Sequence, residues 1–352
     1  MTRGKQSQEG GDASVNIQAQ GDITLGPNYL EVRQIAIDVY RANMLELREV
    51  AAEIARERAE SFLDTFLRKA AEDGQTEIPE GSSPDFQYAL FSAQRDYARS
   101  GDEDVGELLV QLLVDRARVE QRDLQQIVLN ESLTVASKLT LDQLDALSLI
   151  LILKHGGLPR VESLDEFHLV LDDLLLPFVA GASDRQSAYQ HLEYVGCVVT
   201  HAFEMPAHTP FIERYPGLFT KGFPPSFSNL ELPEAQKALL SIPARHKVPD
   251  RPDLKLVRIN ATDDEAEDEL IERVGVDPGS VPRLKQLQKE NLLRLEEVRE
   301  YLIDARSEMA WYFDIWDETP MKSKTLTSVG IAIAHANIKK RTDRDLNLSI
   351  WM

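Results

Sequence analysis

Residues 29–71 run YLEVRQIAIDVYRANMLELREVAAEIARERAESFLDTFLRKAA without a proline or a glycine. Apolar residues recur there at Val32, Ile35, Ile37, Val39, Met44, Leu47, Val50, Ile54, Phe62, Leu63, Phe66 and Leu67. Such a pattern, with a period near 3.6, predicts one long helix or two collinear ones that protrude from the fold or brace it. Asp73-Gly74 and the stretch Pro79 to Pro84 end it. Further helical patterns follow over Phe86–Ala98, Asp104–Arg118, Asp123–Lys138 and Leu141–Lys154, the last with Thr140 in cap position. After His155-Gly156-Gly157 and Pro159 come helices over Leu164–Val179 and Asp184–Phe203.

Beyond them, Pro206 to Pro243 is irregular but holds Phe211, Tyr215, Phe219, Phe223 and Phe227, an aromatic content that predicts a packed segment. A strand over Leu254–Ile259, the acidic run Asp263–Glu269, a long helix over Pro282–Phe313, a helix over Thr327–Lys340 and a terminal strand or extended arm over Leu346–Trp351 follow.

Upstream of Asn28 the period changes to two. Residues 1–10 are small and polar, and the next segments read GDASVNIQAQ and GDITLGPNYL. Val15, Ile17 and Ala19 alternate with Ser14, Asn16, Gln18 and Gln20, and Gly11-Asp12 and Gly21-Asp22 are turn signals, so two short strands joined by a tight turn are expected. The fold class is therefore mainly α: a multi-helical body, a long N-terminal helix and a short N-terminal β-hairpin or β-roll. The expected organisation is residues 1–27 as tail and β assembly segment and 28–158 as a helical domain. A second helical domain with the aromatic stretch covers 159–270, and a C-terminal helix and tail cover 271–352.

The chain has 352 residues, 43% hydrophobic and 28% charged, with a formal net charge of -20. That balance disfavours a non-specific nucleic-acid surface, which needs clustered cations. The single cysteine, Cys197, rules out an intramolecular disulfide framework and points to a reducing compartment. No secretory h-region and no membrane-spanning run is visible, so a cytoplasmic location is expected.

Two short strands cannot cover their own edges. They either pair between chains, with Asn16 and Gln18 laddering, or cap the chain's own helices. The first reading makes Ser14, Val15, Asn16, Ile17, Gln18, Ile23 and Leu25 oligomerisation residues. Cys197 and His201, four apart on a predicted helix, with His191 and His208 nearby, match no zinc spacing, and the apolar neighbours of Cys197 favour a core thiol. Asp165, Asp172 and Asp173 on one predicted helix, and the run from Asp263 to Glu269, are candidates for a Mg²⁺ site but read first as solvated acidic faces. Lys339, Lys340, Arg341 and Arg344 form the strongest basic cluster, at a helix end that cations complement, with a phosphate site as the lesser reading. Leu218-Phe219-Thr220-Lys221-Gly222 and Leu326-Thr327-Ser328-Val329-Gly330 resemble winged-helix elements in which Thr caps a helix and Gly allows close packing. The signatures of P-loops, dinucleotide folds, serine hydrolases and zinc proteases are absent. No cofactor and no metal is expected, and a non-enzymatic role is favoured.

The string GDASVNIQAQGDITLG, residues 11–26, resembles an N-terminal signature, Gly-Asp-x-Ser-x-Asn-Ile-Gln-Ala-x-Gly-Asp-Ile, of an uncharacterised bacterial family. The helix from Tyr29 and the Leu326–Ala334 stretch are similar to the same family. Its members look like antiphage-defence components, and the signature also resembles bacterial amyloid-signalling motifs. The resemblance implies a short β segment joined to a sensing or effector region and carries no catalytic residue across. A self-assembling sensor or scaffold, triggered by a phage or host protein, is the expected function. The alternatives are a metal-dependent hydrolase or nuclease using acids such as Asp172 and Asp173 with a histidine, and a nucleic-acid-binding regulator using the Gly222 or Gly330 elements, although nucleic acid is disfavoured as a partner.

Overall fold

In the computed structural model the described residues are 29–74, 83–119, 121–224, 238–240, 256–342 and 344, with side chains described from residue 48 onward. The β segment expected before Asn28 and the arm expected over Leu346–Trp351 lie outside them. The chain divides into two compact units, residues 1–57 and 58–352. Helix α1, Tyr29–Glu72, is continuous as its sequence predicts, and in the first unit it is the described structure.

The second unit is mainly helical. Helices α2 (Pro84–Ser100), α3 (Glu103–Ala117), α4 (Leu124–Ala136) and α5 (Leu141–Lys154) follow the expected segments. Local chemistry sets their ends. Asp102 and Asp123 accept from Val105 N and Gln126 N at 3.1 and 2.9 Å, and Gln143 Oε1 accepts from Thr140 N at 3.1 Å in a capping box. Gly101, at φ 65°, ends α2 in the left-handed conformation that other residues rarely adopt.

The expected helix over Leu164–Val179 is present as α6 (Leu164–Val170), a π-turn (Leu171–Leu175) and α7 (Leu176–Val179). Pro177 has no N–H for the carbonyl one turn back, and the widened turn accommodates the lost bond.

Two expected helices are corrected. The segment Asp184–Phe203 holds only α8, Gln186–Tyr194; Gly196, at φ 80°, breaks the helix, and Val198–Thr200 form strand β1. β1 pairs antiparallel with β2, Lys324–Leu326, placing Val199 opposite Thr325. The outer edge of β2 is sealed by α5: Lys154 Nζ donates to Lys324 O at 2.8 Å, and Leu326 N donates to His155 Nε2 at 3.2 Å. The expected helix over Pro282–Phe313 is instead three: α11 (Val281–Glu290), α12 (Leu295–Ala305) and α13 (Met309–Glu318). At the first break Lys221 N donates to Asn291 O at 2.8 Å and Leu293 N to Phe219 O at 2.8 Å, so long-range backbone bonds replace helical ones. Short α9 (Thr209–Arg214) and α10 (Asp264–Val274) precede them, and α14 (Ser328–Thr342) ends the described body. In the described part of the strand expected over Leu254–Ile259, Val257 makes an antiparallel bridge with Phe223.

The main core extends from Phe62 to Ile338. α14 lies at its centre, against α3, α4 and α5, with Ile331 to Ile338 buried. Its apolar interior combines with Phe167 of α6, whose ring meets Phe211, Tyr215 and Phe219 of the aromatic stretch edge to face. A second core unites Phe223, Leu239 and Ile259 with Leu270, Ile271, Leu284 and Leu287 of α10 and α11.

Candidate functional site

Ser14, Val15, Asn16, Ile17, Gln18, Ile23 and Leu25, the expected assembly residues, lie outside the described residues. Cys197 and His201 do not share a helical face. They flank β1, where residues four apart are about 13 Å apart along the strand. Cys197 is buried, and burial pushes its thiol up to about 12, so it stays protonated and inert as a nucleophile. His191 lies 3.0 Å from Gln143 Nε2. Among the described residues no three His, Cys, Asp or Glu side chains are arranged to hold a metal ion.

The acids are dispersed. Arg306 grips Asp172 through two bonds of 2.5 and 2.6 Å, which hold its carboxyl below the usual range. Asp173 is 3.9 Å from Arg344. Asp263 caps α10, its Oδ1 accepting from Ala266 N at 2.7 Å, and the rest of the acidic run forms the first turns of that helix.

The basic run on α14 pairs with carboxylates of the same chain. Lys339 Nζ lies 3.1 Å from Asp73 and 3.8 Å from Asp115, Lys340 2.7 Å from Asp104, and Arg341 2.5 Å from Asp145 while also donating to Pro177 O at 2.6 Å. Asn337 Nδ2 extends this seam, donating to Ser148 Oγ at 2.9 Å. The phosphate reading of this run is therefore corrected, because its cations neutralise carboxylates of the body. Thr327 does cap α14, its Oγ1 accepting from Gly330 N at 3.1 Å, and a Cβ at Gly330 would stand 2.0 Å from Cys197 O. The cap and the close-packed glycine expected of Leu326–Gly330 are thus present, and α14 is buried from Gly330 to Ile338.

Two places differ from this closed interior. On α1, Phe62, Phe66 and Ala70 are 2%, 1% and 1% exposed, whereas Val50 and Ile54 are 55% and 42% exposed. The other is a cleft of about 480 Å³ between α9, α10 and α11, with Ile212, Pro216 and Leu292 as its apolar walls. Its polar lining comes from Glu213, Asp264, Glu267, Asp268, Lys285 and Lys289, joined by Gln288. Gln288 is only 3% exposed, and neither its amide nitrogen nor its amide oxygen has a hydrogen-bond partner. Glu267 is 4% exposed, and burial pushes its carboxyl up to about 7. Lys285 is tied to Asp268, which leaves the other acids of the cleft in excess. Sequence reasoning missed this site. Gln288 is one polar residue of an amphipathic helix, and only burial distinguishes it.

No helix among the described residues is long and apolar enough to cross a membrane. No curated protein and no solved structure matches the chain. A family model whose description states no activity matches residues 26–352, which leaves most of the 11–26 stretch outside the match. With most of its length so matched, the chain belongs to that family.

Proposed function

We propose that this protein is a self-assembling scaffold or sensor component, in which the N-terminal part of α1 joins copies of the chain and the β segment of residues 11–26 adds to the contact. The observation that carries this reading is the exposure of Val50 and Ile54, 55% and 42%, on a helix of 44 residues that buries Phe62, Phe66 and Ala70. In the sequence, Ile37, Tyr40, Met44, Leu47, Ala51 and Ile54 follow one another at alternating steps of three and four, the spacing that lets helices supercoil about each other. A helix of this length gains little from propensity alone, and its apolar stripe is stabilised by burial against a partner.

Joining copies through one helix raises the local concentration of the attached bodies, so a ligand that favours the assembled state switches activity without chemistry of its own. A bacterial-defence setting rests on the resemblance of residues 11–26, and a cytoplasmic one on the lone, buried cysteine. Two variants of the full chain separate the contributions. Leu47→Glu combined with Ile54→Glu breaks the helical contact, and removal of residues 1–27 removes the β segment. Mass in solution is expected to fall to a single chain in the first variant and to a smaller assembly in the second. An assembly unchanged by both overturns the proposal.

A further inference from the structure

We propose that the cleft between α9, α10 and α11 is a binding site for a guanidinium group, carried by a small molecule or by an arginine side chain. The inference stands on the cleft alone and does not depend on self-assembly.

The first ground is Gln288. A primary amide buried to 97% with both its donor and its acceptor unmet costs stability, because water is lost from each atom and nothing replaces it. Two other buried amides, Gln143 and Asn337, are satisfied: Gln143 bonds Ala188 O at 2.9 Å and Asn337 bonds Ser148 at 2.9 Å. An orphaned amide beside a cavity of about 480 Å³ is the pattern expected of a group whose partner is a ligand.

The second ground is charge. Glu267 feels Lys285 and Lys289 of α11 and Asp264 and Asp268 of its own helix, and it shares the cleft lining with Glu213 of α9. With Lys285 held by Asp268, one ammonium, Lys289, is left against Glu213, Asp264 and Glu267. The surplus is negative and favours a cation. A guanidinium suits it better than an ammonium because its planar fork presents several N–H groups at once, to the Gln288 amide oxygen and to carboxylates, and sheds its water at lower cost. The apolar walls, Ile212, Pro216 and Leu292, suit the methylene stem that such a group carries. A carbonyl next to the stem, as in an arginine amide, would accept from the Gln288 amide nitrogen.

Binding is coupled to a proton. In the free protein Glu267 is about half protonated near neutral pH, and a cation in the cleft favours its charged form, so affinity should rise with pH through about 7.

The test uses the full chain, thermal denaturation and calorimetric titration with Nα-acetyl-arginine amide. Agmatine, putrescine and the uncharged isostere Nα-acetyl-citrulline amide serve as comparisons. The arginine amide is expected to raise the melting temperature and to bind at least ten-fold more tightly than the citrulline and putrescine probes, with affinity increasing from pH 6 to pH 8. Agmatine equal to the arginine amide would identify a free guanidinium as sufficient; weaker agmatine binding would assign the amide carbonyl to Gln288. Gln288→Met should melt at or above the wild-type temperature yet bind at least ten-fold more weakly, a combination that a merely structural glutamine would not give. Glu267→Gln should lose the pH dependence. No binding of the guanidinium probes by the wild-type chain, equal binding of the citrulline probe, or undiminished binding by Gln288→Met would overturn the proposal. None of these outcomes alters the mass of the assembly, so the two readings fail separately.

Discussion

Helices α14 and α1 treat their side chains in opposite ways. The end of α14 reads as a charged surface, Lys339-Lys340-Arg341, yet each of these cations meets a carboxylate of the body and the preceding turns are buried. α1 reads as an apolar brace, yet its aliphatic residues before Phe62 include Val50 and Ile54, which stay open to solvent. A run of one character in sequence does not say which side of the boundary it occupies. Cations at a helix end can be taken up by carboxylates of the same chain, and apolar side chains such as Val50 and Ile54 can stay open to solvent.

The sharpest way to break this contrast is at Arg341. Its partner Asp145 is 5% exposed, so Arg341→Met leaves a buried carboxylate without its cation and is expected to cost about 3 kcal/mol in denaturant unfolding. A loss below about 1 kcal/mol would mean that the seam on α14 is loosely solvated rather than internal.

Glu267 supplies the intermediate case, a buried acid with no firm partner. Its carboxyl sits at about 7 when folded against 4.5 as its ordinary value, so the folded chain binds more protons between those limits. The stability contributed by this group is present below about pH 4.5 and is lost as pH rises to about 7, by up to about 3 kcal/mol. Unfolding measured across that range should show a fall that is reduced in Glu267→Gln. An identical profile in the variant would place the carboxyl in water.

The smallest effect belongs to α1. Ile54→Ala removes a half-exposed side chain with no core around it and should change the unfolding free energy of a dilute, unassembled chain by less than about 0.5 kcal/mol. The same change should still weaken association. A loss of several kcal/mol at low concentration would show that this part of α1 is packed within its own chain.

Much of the helical body was legible because its ends carry local chemistry. Thr140 and Gln143 fixed the start of α5, and Gly156-Gly157 followed its end. The errors arose where a distant segment decided. Val198–Thr200 becomes a strand only because Lys324–Leu326, far along the chain, pairs with it, and Gly196 alone hinted at the break. Asn291–Leu293 contains no proline or glycine; the helix is interrupted by backbone bonds to Phe219 and Lys221. The pairing of Asp172 with Arg306 was equally hidden, since two exposed-looking charges lie in separate elements. The cleft was hidden for the same reason: the excess of acid at its mouth is visible in sequence, and the orphaned Gln288 is not.

The most direct test of the central claim is the solution mass of the full chain compared with Leu47→Glu/Ile54→Glu, measured by sedimentation equilibrium over a range of concentrations. The wild-type mass is expected to be at least twice 39.7 kDa and the variant mass equal to 39.7 kDa, with an unchanged melting temperature for the body. A wild-type chain that is monomeric at every concentration, or a variant that assembles as the wild type does, would contradict it.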